Sequence, residues 1–327
     1  LAAKSEGKNK VKKRLAIVAL CLVFFVGGWI FHNFYLTLGS SLKFKAVQRQ
    51  QLRKILKLNK GKLSGVDIIE EKDMGSYSRR LLRFHWQGFS FDTYLLVPEK
   101  LGEKNAAILA LHGHKTTKED VVGIKQSRFN INFGLRLVNY GFVVLAPDIP
   151  FSENFVDEDL LGKKLIMSGS HVTGLRLSYL SSLLDYLSSL PFVDSKRVGC
   201  VGWSMGGGLA MYLAALDKRV KAVAISSYFG TYKDSLMTRS QRSTDNYIPG
   251  ILSFGEMADV ACLIAPKPLW LENAEQDPEF PQAAFMKGLT VLKTCYKGHE
   301  ECLQWQLIPG DHSFKGEEIE EWFQRWL

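Results

Sequence analysis

Proline is scarce in this 327-residue sequence, at 10 residues, and cysteine scarcer, at five. So little proline beside 46% hydrophobic residues excludes collagen-like and mostly disordered chains. Five cysteines are too few for a disulfide scaffold, and a chain of this length can bury a core without staples. Zinc-ligand spacing is missing: Cys262, Cys295 and Cys302 fit no ligand pattern, and no H-E-x-x-H occurs. Cys21 lies in an apolar run and Cys200 in an expected strand. Cys295 and Cys302 are close enough in sequence for a disulfide, and two unpaired buried thiols explain them equally well. No repeat or low-complexity tract is present.

Excess positive charge is also missing from most of the chain. The formal charge is +9, yet residues 1–62 hold 14 Lys/Arg against one acid while residues 63–327 hold 28 against 32. Basicity therefore belongs to the N-terminal segment, and a nucleic-acid-binding globular domain is excluded.

That segment contains LAIVALCLVFFVGGWIF over 15–31, uncharged and without a polar stripe; after His32 and Asn33, Phe34, Tyr35, Leu36 and Leu38 extend it. About 20 apolar residues in a helix cross the roughly 30 Å hydrocarbon layer. The run is longer than a usual signal-peptide core and no A-x-A-like site closes it, so an uncleaved anchor is expected. Both flanks are basic; the short cationic tail is expected inside and the main domain outside, periplasmic or extracellular. Leu52, Ile55, Leu56 and Leu58 interleave with basic residues, as in a helix lying on headgroups or one packed on the domain.

From residue 79 onward, short apolar runs alternate with helical patterns. Arg79–Phe84 and Phe89–Val97 read as an antiparallel pair turning at Gly88, while AAILAL (106–111) and FVVLA (142–146) suit buried parallel strands. Helices are expected over 129–140, 175–190, 206–216, 281–292 and 317–327, and strands over 197–201, 220–226, 268–272 and 303–308. This alternation means a mostly parallel sheet covered on both faces. Two polar stretches, 151–172 and 227–261, interrupt the rhythm where loops wall a ligand crevice.

Gly202-Trp203-Ser204-Met205-Gly206 follows one such strand and opens a helix, the strand–turn–helix setting of a G-x-S-x-G nucleophile. A serine hydroxyl needs a base. Of seven histidines, His312 alone falls between the last strand and last helix, at the sheet end that carries Ser204; His299 is expected at the opposite end. The imidazole needs a carboxylate to fix its tautomer. Asp277 follows the strand PLWLE and stands between Ser204 and His312, with Glu272 and Glu275 as substitutes. Acyl transfer wants two N–H donors for the developing oxyanion. These are the backbones of Met205, after the nucleophile, and His114, in the His112-Gly113-His114-Lys115 turn. The His114 imidazole either faces the substrate or packs; Asp148 reads as structural.

LALHGH, PFVDSKRVGCVGWSMGGGLA and NYIPGILSFGEMADVACLIAPKPLWLENAEQDPEFP resemble the α/β-hydrolase superfamily. The resemblance is to the branch holding acetyl xylan esterase-like and dienelactone hydrolase-like proteins and the prolyl oligopeptidase catalytic domain. It covers roughly 45–327 and specifies no substrate. The H-G-H-K loop lacks the extra glycines of lipases, and G-D-H-S-F places Asp311, not glycine, before the histidine. The resemblance implies Ser204 as nucleophile, Asp277 as acid and His312 as base, with Met205 and His114 as oxyanion donors and no cofactor or metal. The expected architecture is an α/β-hydrolase fold with an eight-stranded, mostly parallel sheet and helices on both faces, preceded by one transmembrane helix. Residues 1–14 form a basic tail, 15–38 the anchor, 39–62 a basic juxtamembrane helix and 63–327 the catalytic domain with its two lid insertions. The expected activity is hydrolysis of a small-molecule or carbohydrate carboxylic ester at a membrane. A prolyl oligopeptidase-like peptidase and a catalytically silent membrane-bound binding protein are the alternatives. The lid residues Ser235, Arg239, Gln241, Arg242 and Asp245 point away from a long acyl chain.

Overall fold

A computed structural model describes residues 43–59, 61–152, 155–238 and 243–327. The chain divides into two units, Leu1–Gln50 and Gln51–Leu327. Helix α1 occupies 43–55. Within the second unit Leu52 and Leu56 are fully buried in the core, and the Arg53 guanidinium donates to the Leu216 carbonyl. Residues 52–56 therefore pack within this second unit.

Three antiparallel strands come first: β1 (Leu63–Asp73), β2 (Tyr77–Trp86) and β3 (Phe89–Pro98). The rest alternate with helices: β4 (Asn105–Leu111), the short α2 (Lys118–Val121), α3 (Phe133–Asn139), β5 (Val143–Pro147), α4 (Phe155–Met167), α5 (Val172–Ser189), β6 (Val193–Trp203), α6 (Met205–Leu216), β7 (Val220–Ser226), α7 (Met257–Cys262), β8 (Leu269–Ala274), α8 (Gln282–Cys295), β9 (Leu303–Ile308) and α9 (Ile319–Trp326). Among the described residues the strands form one nine-stranded sheet in the order β1-β2-β3-β5-β4-β6-β7-β8-β9. It is antiparallel through the β3–β5 pair and parallel from β5 to β9.

Alternation along β4 shows how the layers are built. Ala107, Leu109 and Leu111 face one core with Leu180 of α5, Leu213 of α6 and Leu289 of α8; Ile108 and Ala110 face the other with Leu137 of α3 and Phe323 of α9. Both faces are fully buried, so the strand reads as a continuous apolar run. Helix α3 stops where Gly141 turns the chain at φ +102°, a conformation that favours glycine.

Three expectations are corrected. The sheet has nine strands, not eight: β1 is mostly exposed and its GVDIIEEKD sequence has no sustained apolar alternation to reveal it. No helix among the described residues is long and apolar enough to cross a membrane. The run 15–38 lies outside those residues, so the expected transmembrane helix, the membrane as a partner and the single-pass, extracytoplasmic placement are withdrawn. Cys295 bonds Cys262, not Cys302, because α8 packs along α7; Cys302 and Cys200 are free and buried.

The disulfide closes a span of 33 residues that includes β8. By the chain-entropy relation, Cys262→Ser should lower unfolding stability by about 3–4 kcal/mol. A urea-melt midpoint within error of the wild type would show that the α7–α8 packing holds without the bond.

Candidate active site

The turn from β6 into α6 is tight enough to dictate its residues. A Cβ on Gly202 would lie 2.1 Å from the Gly206 carbonyl oxygen, and one on Gly206 would lie 2.3 Å from that of Leu111. Ser204 between them has φ 53° and ψ −125°, an unfavourable conformation for a residue with a side chain, and begins α6. Its N–H donates to the Ser226 carbonyl at 2.9 Å, tying the turn to β7. The outcome is a hydroxyl held above the parallel strands, 6% exposed.

The loops after β8 and β9 bring the other two groups to it. Asp277 Oδ1 accepts the N–H groups of Glu279 and Phe280 at 2.7 and 2.9 Å, which leaves Oδ2 for His312. His312 Nδ1 lies 2.8 Å from Oδ2, and a carboxylate only accepts, so Nδ1 carries the proton. With the proton on Nδ1, Nε2 can accept from Ser204 Oγ, which lies 2.9 Å away. Trp203 and Phe280 flank the imidazole, with ring centroids 4.9 and 6.2 Å away.

Glu272, considered from sequence only as a substitute acid, does something else. Fully buried at the end of β8, its Oε1 accepts from Ser226 Oγ (2.9 Å) and the Lys315 N–H (3.1 Å); its Oε2 accepts from Gln306 Nε2 (2.7 Å) and the Gly316 N–H (2.9 Å). Burial raises its pKa against these donors. The carboxylate thus pins the loop carrying His312 to β7 and β9. A polar pair, Glu272-Asn273, inside an otherwise apolar strand was the available signal.

The loop after β4 passes close to Ser204: a Cβ on Gly113 would come within 3.0 Å of Ser204 Cβ. His112 braces it. Its Nε2 accepts the Ile149 N–H at 3.0 Å and its Nδ1 donates to the Gly113 carbonyl at 2.8 Å. Burial lowers its pKa to about 4, which keeps the ring neutral.

His114 turns its imidazole the other way, into the insertions. Nε2 lies 3.2 Å from both Glu158 Oε1 on α4 and Asp245 Oδ2 in the 3-10 turn Thr244–Asn246. Arg176 of α5, wholly buried, contacts those same two oxygens at 2.8 and 2.7 Å. Burial alone would lower the His114 pKa, but Asp245 and then Glu158 outweigh it and raise it to about 9. Burial likewise disfavours the Asp245 carboxylate, yet His114 and Arg176 hold its pKa down to about 2. Among the described residues, His114, Glu158 and Asp245 are the group whose donor atoms suit a metal ion. The guanidinium already occupies the carboxylate oxygens that a cation would need, so the residues present do not fit one. Arg176 and Glu158 escaped the sequence reading; the signal for Arg176 is a lone cation inside the apolar face of α5.

Of the remaining residues considered, Asp148 pairs with Lys118 at 2.6 Å and His85 with Asp67 at 2.8 Å on the exposed outer strands. His299 begins the 3-10 turn before β9. The insertions meet each other where Asp159 Oδ1 accepts the Thr244 N–H at 2.9 Å; residues 239–242, with Arg239, Gln241 and Arg242, lie outside the described set. Ser204 opens into a cleft of about 620 Å3, whose lining includes His114, Arg128, Phe129, Trp203, Glu279 and Asp311.

Comparison with known proteins bears on this arrangement. YtaP of Bacillus subtilis (strain 168) is 27% identical over 189 residues, covering 54% of this chain and 61% of the relative, so less than two thirds of its length is spanned. Among solved structures, BF1801 of Bacteroides fragilis NCTC 9343 superposes with a TM-score of 0.72 at 17% identity, over 87% of this chain and 88% of that one. Acetyl xylan esterase 1 from Thermoanaerobacterium sp. JW/SL YS485 gives 0.59 at 15% identity, over 86% and 93%. At such identities the likeness is one of fold. The model of the dienelactone hydrolase family matches residues 91–290, from β3 into α8 and through both Ser204 and Asp277. The chain belongs to the dienelactone hydrolase family.

Proposed function

We propose that this protein is a serine hydrolase that cleaves a carboxylic ester through an acyl-enzyme on Ser204. The observation that carries the reading is the continuous relay from Ser204 Oγ to His312 Nε2 (2.9 Å) and from His312 Nδ1 to Asp277 Oδ2 (2.8 Å), with the serine held at positive φ.

The chemistry follows from the geometry. Ser204 Oγ attacks the ester carbonyl as His312 Nε2 takes its proton, and Asp277 stabilises the imidazolium. Negative charge collects on the former carbonyl oxygen, for which the backbone N–H groups of Met205 and His114 are the donors in this reading. Collapse breaks the bond to the alcohol oxygen, which receives the proton from His312. Water, deprotonated by the same imidazole, then attacks the acyl carbon and frees Ser204. The open, mixed-polarity cleft and the acetyl xylan esterase among the structural neighbours support a small-molecule or carbohydrate ester as substrate.

Acyl-nitrophenyl esters tested beside aminoacyl amides check this. Turnover of short-chain esters at least ~100-fold above the amides in kcat/KM is expected, together with covalent labelling by a fluorophosphonate probe. A well-folded protein that neither turns over esters nor takes the label would overturn the reading.

A further inference from the structure

The ion cluster beside Ser204 has no part in the proton relay, yet it is built on the loop that would supply an oxyanion donor. Its four groups come from four segments: His114 from the loop after β4, Glu158 from α4, Arg176 from α5 and Asp245 from the second insertion. Two cations face two anions, so the cluster is neutral only while His114 is an imidazolium. Taking one proton from it leaves a net negative charge, mostly buried, next to the site where the reaction develops negative charge of its own. Low local polarity makes that field costly.

We propose that the His114 imidazolium is a positioning residue for ester hydrolysis, clamping the two insertions onto the oxyanion loop and cancelling the negative field of Glu158 and Asp245 at the developing oxyanion. This rests on the serine-hydrolase reading and adds to it an imidazole outside the proton relay. The titratable groups around the imidazole are Glu158 from α4 and Asp245 from the 3-10 turn, Arg176 from α5 on those same carboxylates, and the neutral His112 and Lys115 beside it in its own loop. Asp159 and His312 line the cleft beyond it. The first two dominate, because both contact Nε2.

Deprotonation of this group has a signature that a Ser-His-Asp relay lacks. The relay's rate rises as its histidine loses a proton and then stays level, whereas loss of the His114 proton should bring the rate down again. With Ser204-dependent turnover of a nitrophenyl acetate established first, wild-type kcat should fall about 10-fold on an alkaline limb centred near pH 9. His114→Gln should lower kcat about 10-fold at pH 7.5, leave KM within about twofold and remove the limb. Adding Glu158→Gln restores neutrality, and the double variant should return to within about threefold of wild-type kcat. Glu158→Gln alone should remove the limb, because losing the His114 proton then leaves Arg176 facing one carboxylate and the cluster neutral. This last measurement stands even if His114→Gln does not fold. A wild-type profile flat to pH 10, or a double variant poorer than His114→Gln, would overturn the proposal while leaving the serine-hydrolase reading intact. No Ser204-dependent turnover at all would instead defeat that reading.

Discussion

Ser204→Ala and His312→Ala should each lower kcat for a short-chain nitrophenyl ester by about 10^5–10^6-fold, and the double variant should be no worse than either. Non-additivity is the informative part. The hydroxyl donates to Nε2 at 2.9 Å, and Nδ1 is committed to Asp277 at 2.8 Å. Each group is therefore useless without the other: a serine with no base is a weak nucleophile, and a base with no serine activates nothing held against the carbonyl. Asp277→Asn should cost about 10^4-fold, because an amide can present its NH2 to Nδ1 and select the tautomer that places a proton on Nε2. Burst kinetics on an activated ester, with fluorophosphonate labelling of each variant, would check all three. If Ser204→Ala and His312→Ala lose independent factors that multiply, the two side chains do not act as a unit, and the relay seen in the structure is not the reactive one.

What could be read from the sequence follows from how local each signal is. The nucleophile turn is encoded within five residues, because glycines must stand where backbone carbonyls approach within about 2 Å of a would-be Cβ. Strands β4 to β8 announce themselves as apolar runs between helical patterns, since burial on both faces leaves little other composition, whereas the edge strand β9, LQWQLI, is partly exposed and alternates with glutamine. Chain order and the rule that loops after parallel strands share one rim single out Asp277 and His312, whose side chains the structure places 2.8 Å apart. Strand β1 left no comparable trace, being an exposed edge rich in Glu and Lys that only its pairing with β2 organises. The Cys262–Cys295 bond depends on two helices, separated in sequence by β8, packing together, whereas sequence proximity leaves Cys295 and Cys302 equally open as a pair or as unpaired thiols. The ion cluster around His114 was invisible for the same reason: its members span 131 positions (114 to 245) and meet only after both insertions fold back.

Arg176→Met should be the most destabilising single substitution outside the apolar core, lowering unfolding stability by about 3–5 kcal/mol. All five guanidinium N–H groups have acceptors. Nε donates to the Pro150 carbonyl (2.9 Å), Nη1 to Asp245 Oδ2 (2.7 Å) and Met205 Sδ (3.2 Å), and Nη2 to the Phe151 carbonyl (3.0 Å) and Glu158 Oε1 (2.8 Å). Methionine fills part of the volume but leaves two backbone carbonyls without that donor and two buried carboxylates sharing one imidazolium. The cost arises from the stranded anions more than from the missing cation. Neutralising them should therefore recover stability: Arg176→Met with Glu158→Gln and Asp245→Asn is expected to lie at least ~1–2 kcal/mol above the single variant in a urea melt. Activity should not recover in step, because the Met205 contact joins this cluster to the residue after Ser204, and the Pro150 and Phe151 carbonyls still lack their donor. A triple variant no more stable than Arg176→Met would show that the arginine acts through packing and backbone donors alone, and that the charges of Glu158 and Asp245 are tolerated without it.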